Sequence, residues 1–311
     1  MTTAPPLIVV AGPTATGKTA LAIEVAEAIR SDGRVAEIIS ADSRQVFRGL
    51  DIGTAKATPE ERARVPHHGL DLVEADDPFS VADFARHAAG VLDDLAAHGG
   101  IAILAGGTGF YLRAVARGLD TDALPSDPVV RARLEAALTH DGLMASVLRL
   151  EALAPELAAG VDLRNPRRVV RALEIAELRG DAPRPPARGY PGPVAWIGLR
   201  VEPNAHRERI EARVRAQFNA GLLEEARGLR ERFDPGLPAF TAIGYREAWA
   251  VLDGTSALAD AIEEDVRRNV AFAKRQATWF RSEADIEWLD ASAGLAARDV
   301  LRSPAVAAAL A

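Results

Sequence analysis

The 311-residue chain has a formal net charge of −7, is 48% hydrophobic and 26% charged, and contains no cysteine. That balance suits a globular chain with a real core. It excludes disulfides, thiolate metal sites and a cysteine nucleophile, and no apolar run approaches the ~20 residues a membrane helix needs. The first residues lack a basic stretch followed by a long apolar one, so Leu7–Ala11 reads as a buried strand and not as a signal peptide.

Directly after that strand, Gly12, Pro13, Thr14, Ala15, Thr16, Gly17, Lys18 and Thr19 fill the P-loop pattern G-x-x-x-x-G-K-[ST], and a helical stretch, Ala20–Ile29, follows. Glycines there let backbone N–H groups wrap a polyphosphate at a helix N-terminus. Lys18 is placed to reach the terminal phosphates and Thr19 to hold Mg²⁺. The next expected strand, Val35–Ser40, ends two residues before Asp42. A carboxylate there serves either as a Walker-B-like acid or as a general base, unless it merely begins a turn with Ser43. Further strands are expected at Leu70–Val73 and Ile101–Ala105, separated by a helix over Val81–Ala97. This strand–helix alternation is the signature of a parallel sheet with crossover helices. Gly106, Gly107, Thr108 and Gly109 follow the last strand and could let backbone approach a ligand closely. No conventional hydrophobic run ending in Asp-Glu is present, which weighs against an ATPase motor.

From Arg117 the pattern becomes helical, with expected helices at Asp127–Leu138, Leu143–Leu150 and Pro166–Leu178. The last has Asn165 before it, Pro166 at its first position and Gly180 beyond its end. The Pro/Arg/Gly-rich stretch Gly180–Pro193 reads as a linker, Val194–Leu199 as a strand, and His206 to Phe280 as mainly helical. The expected organisation is an α/β fold: a P-loop NTPase-like parallel-sheet core, residues 1–116 and 194–311, interrupted by a helical insertion, 117–193.

Three arginine-rich stretches stand out. Arg209 and Arg213 lie four residues apart on a helix whose Ile210 and Val214 face the core, so either could clamp a pyrophosphate. Arg267, Lys274 and Arg281 recur every seven residues, with Arg268 and Arg275 beside them and no acid between Arg267 and Arg281. On an acidic protein such a helix face reads as a phosphate-backbone footprint, to which Gln276 and Trp279 add hydrogen bonding and stacking. Arg164, Arg167, Arg168 and Arg171 form a comparable cluster.

In this order the motifs resemble those of the tRNA dimethylallyltransferase (isopentenyl-tRNA transferase) family. The resemblance is carried by Gly12–Thr19, Ser40–Lys56, Gly106–Ala114, Arg167–Glu174, Ala242–Arg246 and Lys274–Arg281, and spans roughly Leu7 to Trp288. It implies transfer of a dimethylallyl group from dimethylallyl diphosphate to the exocyclic N6 amine of the adenosine 3′ of a tRNA anticodon, with Mg²⁺; the composition fits a cytoplasmic enzyme that needs no membrane, and a monomer is expected. By the same resemblance, Gly12–Thr19 and Arg213 bind the diphosphate, and Lys18, Thr19, Arg213 and Asp42 are catalytic, Asp42 taking the proton from the amine. It assigns tRNA contacts to Asp42, Ser43, Arg44 and Gln45, and to Arg167, Arg168, Val169, Val170 and Arg171. Two further tRNA segments are Thr241, Ala242, Ile243, Gly244, Tyr245 and Arg246, and Lys274, Arg275, Gln276, Ala277, Thr278, Trp279, Phe280 and Arg281. Thr241 stands where the family pattern commonly has arginine. The competing readings are an adenylate isopentenyltransferase, a small-molecule P-loop kinase and a nucleotide-gated RNA-binding module. The arginine clusters argue against the first, and the missing second acid is what a non-hydrolytic transfer predicts.

Overall fold

The structure, a computed structural model, describes residues 4–121, 123–182 and 185–311. Pro183 and Arg184, in the expected linker, lie outside the described residues. The chain divides into two compact units: one comprises the residues up to Gly118 and from Gly189 onward, the other Leu119–Arg188.

The first unit runs β1 (Leu7–Ala11), α1 (Lys18–Ser31), β2 (Ala36–Ser40), α2 (Pro59–Arg64), β3 (His67–His68), α3 (Val81–Ala97), β4 (Ile101–Gly106) and α4 (Gly109–Ala116). The second unit holds α5 (Pro128–Leu153), α6 (Pro155–Ala159) and α7 (Pro166–Arg179). The first then resumes with β5 (Val194–Arg200), α8 (Pro203–Asn219), α9 (Leu222–Arg232), α10 (Tyr245–Leu252), α11 (Leu258–Arg281), β6 (Ile286–Asp290), α12 (Ala297–Leu301) and α13 (Pro304–Leu310).

The six strands form one sheet in the order β3-β2-β4-β1-β5-β6, and every pairing is parallel. A parallel sheet is covered on both faces, which is why β1 and β4 are apolar without interruption. Leu7, Val9 and Ala11 enter one core with Leu104, Trp196 and helices α3, α4 and α8–α11; Ile8 and Val10 enter the other with Ile103, Ile197, α1 and α13. The strand order reverses at β1. The crevice beyond the C-terminal ends of β1, β2 and β4 is where such sheets bind ligands.

Several expectations differ from the fold. The third strand is His67–His68, paired with Ile38 and Ile39, and not Leu70–Val73. Gly69 turns the chain at φ +78°, where a Cβ would lie 2.6 Å from the Ser40 carbonyl oxygen. Leu72 then hydrogen-bonds to the Val46 carbonyl instead of extending the sheet. The glycine turn after β4 runs straight into α4, and β6 forms an edge strand not expected from sequence.

In the helical unit α5 spans both expected helices, broken at Gly142, whose φ of +84° is not helical. Asn165 caps α7 by accepting from the Arg168 N–H, as its position suggested. The unit's core includes Leu134, Leu150, Val169, Val170 and Leu173. Its limits fall inside the expected 117–193 because the flanking residues belong to the sheet unit. The Arg117 guanidinium pairs with Glu283 and lies 4.6 Å from the Trp196 ring centroid, and the Tyr190 hydroxyl donates to the Pro5 carbonyl at 2.7 Å.

A Cβ at Gly106 would lie 2.1 Å from the Ala41 carbonyl oxygen, where β2 and β4 end side by side. Gly106→Ala is therefore expected to destabilise the chain by about 1–3 kcal/mol, the usual cost of overpacking, measured by urea unfolding. A stability equal to the parent's would show that the two strand ends can separate freely.

Candidate active site

The loop joining β1 to α1 folds back on the Pro13 carbonyl. Thr16 Oγ1 donates to it at 2.9 Å and Lys18 Nζ at 2.6 Å. Gly12 (φ +152°) passes so close to β5 that a Cβ would meet the Leu199 carbonyl oxygen at 2.9 Å, and Gly17 (φ +89°) opens the helix. Ala15 holds a left-handed φ of 60°, which only glycine adopts without cost. Among the described residues, the N–H groups of Ala15 to Thr19 have no hydrogen-bond partner. Successive free donors at the N-terminus of a fourteen-residue helix form an anion-binding concavity.

Charge surrounds this loop on one side. Arg213, on α8, donates through Nη1 to Thr14 Oγ1 at 2.7 Å and through Nη2 to the Thr54 carbonyl at 3.4 Å. Desolvation lowers the Lys18 ammonium to about 7; the Arg213 charge pushes the same way and Asp42 opposes both. Burial also lowers Arg213, against the pull of Asp42 and Asp265. Two cations and one carboxylate thus meet at a loop with free donors, an arrangement that gains most from an incoming polyanion.

Asp42 follows β2. Its Oδ1 accepts from the Arg44 N–H at 2.8 Å, and its Oδ2 has no hydrogen-bond partner among the described residues. The Ser43 N–H donates to Thr108 Oγ1 at 3.0 Å, so the glycine turn after β4 helps fix the acid. The glycines of that turn are packed closely against protein. A Cβ at Gly107 would lie 2.3 Å from Gln276 Nε2, and one at Gly109 2.3 Å from the Trp279 ring.

The Asp51–Lys56 segment is held from several sides. Gln45 Nε2 donates to the Thr54 carbonyl, the Glu225 carboxylate accepts from the N–H groups of Ile52 and Gly53, and the Tyr245 hydroxyl donates to Glu225 at 2.8 Å. The buried Lys56 ammonium donates to Asp51 and Asp71, each at 2.6 Å. These contacts explain the density of polar residues in the Ser40–Lys56 stretch: they build the wall against which Arg213 rests.

The residues expected to touch RNA separate by exposure. Lys274, Arg275, Thr278 and Arg281 are exposed along α11, as are Thr241 and Arg246 near α10 and Arg167 and Arg168 on α7. Val169, Val170, Ala242, Gly244, Tyr245 and Phe280 are buried, Ile243 and Ala277 partly so, and they serve the packing of those segments. Arg171 is engaged internally with Glu174 and the carbonyls of Leu124 and Pro125. Of the five α11 cations, Arg267 pairs with Glu264 and Arg268 with the buried Glu247, so the continuous five-cation face expected from spacing is reduced to Lys274, Arg275 and Arg281. Arg209 does not join Arg213; it donates to the carbonyls of Ala291 and Ser292, which lie just beyond β6. Trp279 lies under the Arg113 guanidinium at 4.4 Å. Arg44 Nη1 and Thr241 Oγ1 both donate to the Pro238 carbonyl.

His206 was not anticipated: its Nε2 lies 2.7 Å from the Thr14 carbonyl oxygen. Its separation from Arg213 places the two on the same helical face, and that spacing was available in the sequence.

Two hard oxygen donors belong to this site, the Thr19 hydroxyl and the Asp42 carboxylate. Among the described residues no group of three His, Asp or Glu side chains forms a metal cage. The set fits a hard divalent ion that draws most of its ligands from water and phosphate.

The sequence profile of the IPP transferases matches residues 45–283. The chain belongs to the tRNA dimethylallyltransferase (IPP transferase) family. A tRNA dimethylallyltransferase of Anaeromyxobacter dehalogenans is 44% identical over 291 residues, covering 91% of this chain and 94% of that protein. The full-length tRNA isopentenylpyrophosphate transferase of Bacillus halodurans superposes with a TM-score of 0.68 at 37% identity, covering 95% and 93% of the two chains. A eukaryotic dimethylallyltransferase acting on tRNA superposes at 0.75 with 25% identity, over 93% of this chain and 74% of that one.

An anion seated on the loop would keep Lys18 charged, whereas the free ammonium loses its proton above about 7. Inorganic pyrophosphate is therefore expected to bind with proton uptake near pH 8 and to lose affinity as pH rises. Calorimetry in two buffers of different ionisation enthalpy measures this. A Lys18→Arg variant, which cannot lose its charge, supplies the ligand's own contribution. Equal uptake by parent and variant would mean that Lys18 is already charged in the free protein.

Proposed function

We propose that this family member transfers the dimethylallyl group of dimethylallyl diphosphate to the N6 amine of the adenosine 3′-adjacent to the anticodon in tRNA, releasing diphosphate. The observation that carries the reading is the pairing of a donor-rich diphosphate loop, with Lys18 and Arg213, to a single carboxylate, Asp42, that has one oxygen free. The leaving diphosphate gathers charge as the allylic C–O bond breaks. The free N–H groups of Ala15–Thr19, Lys18 and Arg213 stabilise that charge where it forms. An adenine amine is a weak nucleophile, and Asp42 accepts its proton as the C–N bond forms. Thr19 would hold Mg²⁺, which when bound would add its charge to that of Lys18 and Arg213. No water needs activating, which agrees with the lack of a second acid.

For tRNA, Lys274, Arg275 and Arg281 on α11, Arg246, and Arg167 and Arg168 on α7 are the exposed cations that meet phosphates. The base must leave its stack to reach Asp42, as it does in enzymes that act on bases. A cytoplasmic setting, where tRNA is available as acceptor, is part of this reading.

The deciding assay incubates the protein with Mg²⁺ and labelled dimethylallyl diphosphate, with unmodified tRNA, AMP or no acceptor. Label entering tRNA alone is expected; label in AMP would move the activity to a free nucleotide. Asp42→Asn is expected to lose at least about a hundred-fold in turnover, the usual reach of a general base, while keeping its tRNA affinity. Equal losses in both would make Asp42 a docking residue. Lys274→Ala with Arg275→Ala is expected to weaken tRNA binding and to lower the slope of log affinity against log salt by about two; an unchanged slope removes α11 from the interface.

A further inference from the structure

Thr14 is the one P-loop residue gripped from outside the loop at three atoms. Its N–H donates to Gln276 Oε1 at 2.8 Å, its carbonyl lies 2.7 Å from His206 Nε2, and its hydroxyl accepts from Arg213. We propose that Gln276 and His206 are positioning residues of the diphosphate site, holding the two peptide groups that flank Thr14 and thereby setting the shape of the cradle. The proposal rests on reading the loop as the diphosphate site.

Chemistry fixes both contacts. Gln276 is 8% exposed, and its amide faces a donor on one side and an acceptor on the other. Oε1 takes the Thr14 N–H, and Nε2 donates to the Gly107 carbonyl at 2.9 Å. Reversing the amide would set N–H against N–H and oxygen against oxygen. Gly107 is required here, because any side chain would occupy the Nε2 position. Facing a carbonyl oxygen, His206 Nε2 must carry its proton.

The loop needs such external holds. A cradle whose N–H groups await an anion cannot spend them on its own shape, and Ala15, next to Thr14, sits in a left-handed conformation that must be enforced. Gln276 lies inside the α11 segment whose sequence matches an RNA-contacting stretch. Its burial and its two partners separate it from the exposed Lys274 and Arg275 beside it.

The test compares binding of dimethylallyl diphosphate with binding of tRNA. Gln276→Met, similar in volume but without the amide, is expected to raise the Kd and KM for the diphosphate about ten-fold, the scale of one lost buried hydrogen bond. Its tRNA Kd should stay within about two-fold, since Gln276 meets no phosphate. His206→Ala is expected to do the same, and His206→Gln, which can still donate to the Thr14 carbonyl, to recover most of the loss. Thermal unfolding of each variant reports whether it folds, and the His206 pair keeps the test open if Gln276→Met does not. Unchanged diphosphate affinity in folded variants overturns the proposal. Lost tRNA affinity with intact diphosphate binding returns Gln276 to the RNA surface. If the parent protein itself fails to bind dimethylallyl diphosphate, the reading of the loop falls first, and that result is separate from either variant's.

Discussion

A phosphate cradle made of backbone donors carries a built-in conflict. Each N–H kept free for the ligand is one that cannot stabilise the loop that presents it. Here the conflict is resolved from outside the loop. Leu199 on β5 presses against Gly12, and side chains of α8 and α11 hold Thr14. Those helices lie far along the chain, at separations of 192, 199 and 262 positions. The loop's shape is thus a property of the completed fold and not of its own eight residues.

The electrostatics follow from the same enclosure. Burial lowers the Lys18 ammonium to about 7, with the neighbouring Arg213 charge adding to the effect, and burial lowers Arg213 as well. Asp42 acts against both shifts and Asp265 against that of Arg213, and Asp42 is itself fixed through the Arg44 N–H and the Ser43–Thr108 contact. Asp265 shows the opposite pressure. Buried behind Gly244 beside Glu247, it is pushed up to about 7 by burial and by that neighbour, so it contributes less negative charge than its position suggests. A site arranged this way is poised to accept negative charge, and Asp42 places a carboxylate oxygen with no hydrogen-bond partner among the described residues beside it. That pairing suits departure of diphosphate with proton loss from a nucleophile better than it suits splitting of a phosphoanhydride by water.

Much of this could be read from residue order, because the informative elements are locally determined. β1 and β4 are apolar throughout since both faces of the sheet are covered, and α7 carries its own start and stop in Asn165, Pro166 and Gly180. The losses came where a distant partner decides. Gly107 and Gly109 look like ligand-facing glycines until Gln276 and Trp279 arrive beside them. Arg268 and Arg171 look like surface cations until Glu247 and Glu174 are seen. Arg209 shares a helical row with Arg213, yet it serves the carbonyls after β6, an edge strand with no strong pattern of its own. Spacing assigns a face; only the fold supplies the counter-charge.

That distinction bears on how an acidic protein meets RNA. The chain holds 37 Lys and Arg against 44 Asp and Glu, and two arginines of its richest clusters, Arg171 and Arg268, are already paired with buried carboxylates. An arginine neutralised by a buried carboxylate has its fork occupied, so a phosphate gains little from approaching it. The exposed cations left on α7, α10 and α11 are few. Nonspecific affinity scales with the number of phosphates neutralised, and under the proposed function this small set would be what supplies it. Under the proposed function, discrimination would then fall to contacts that only the correct loop makes, including a base taken out of its stack and presented to Asp42.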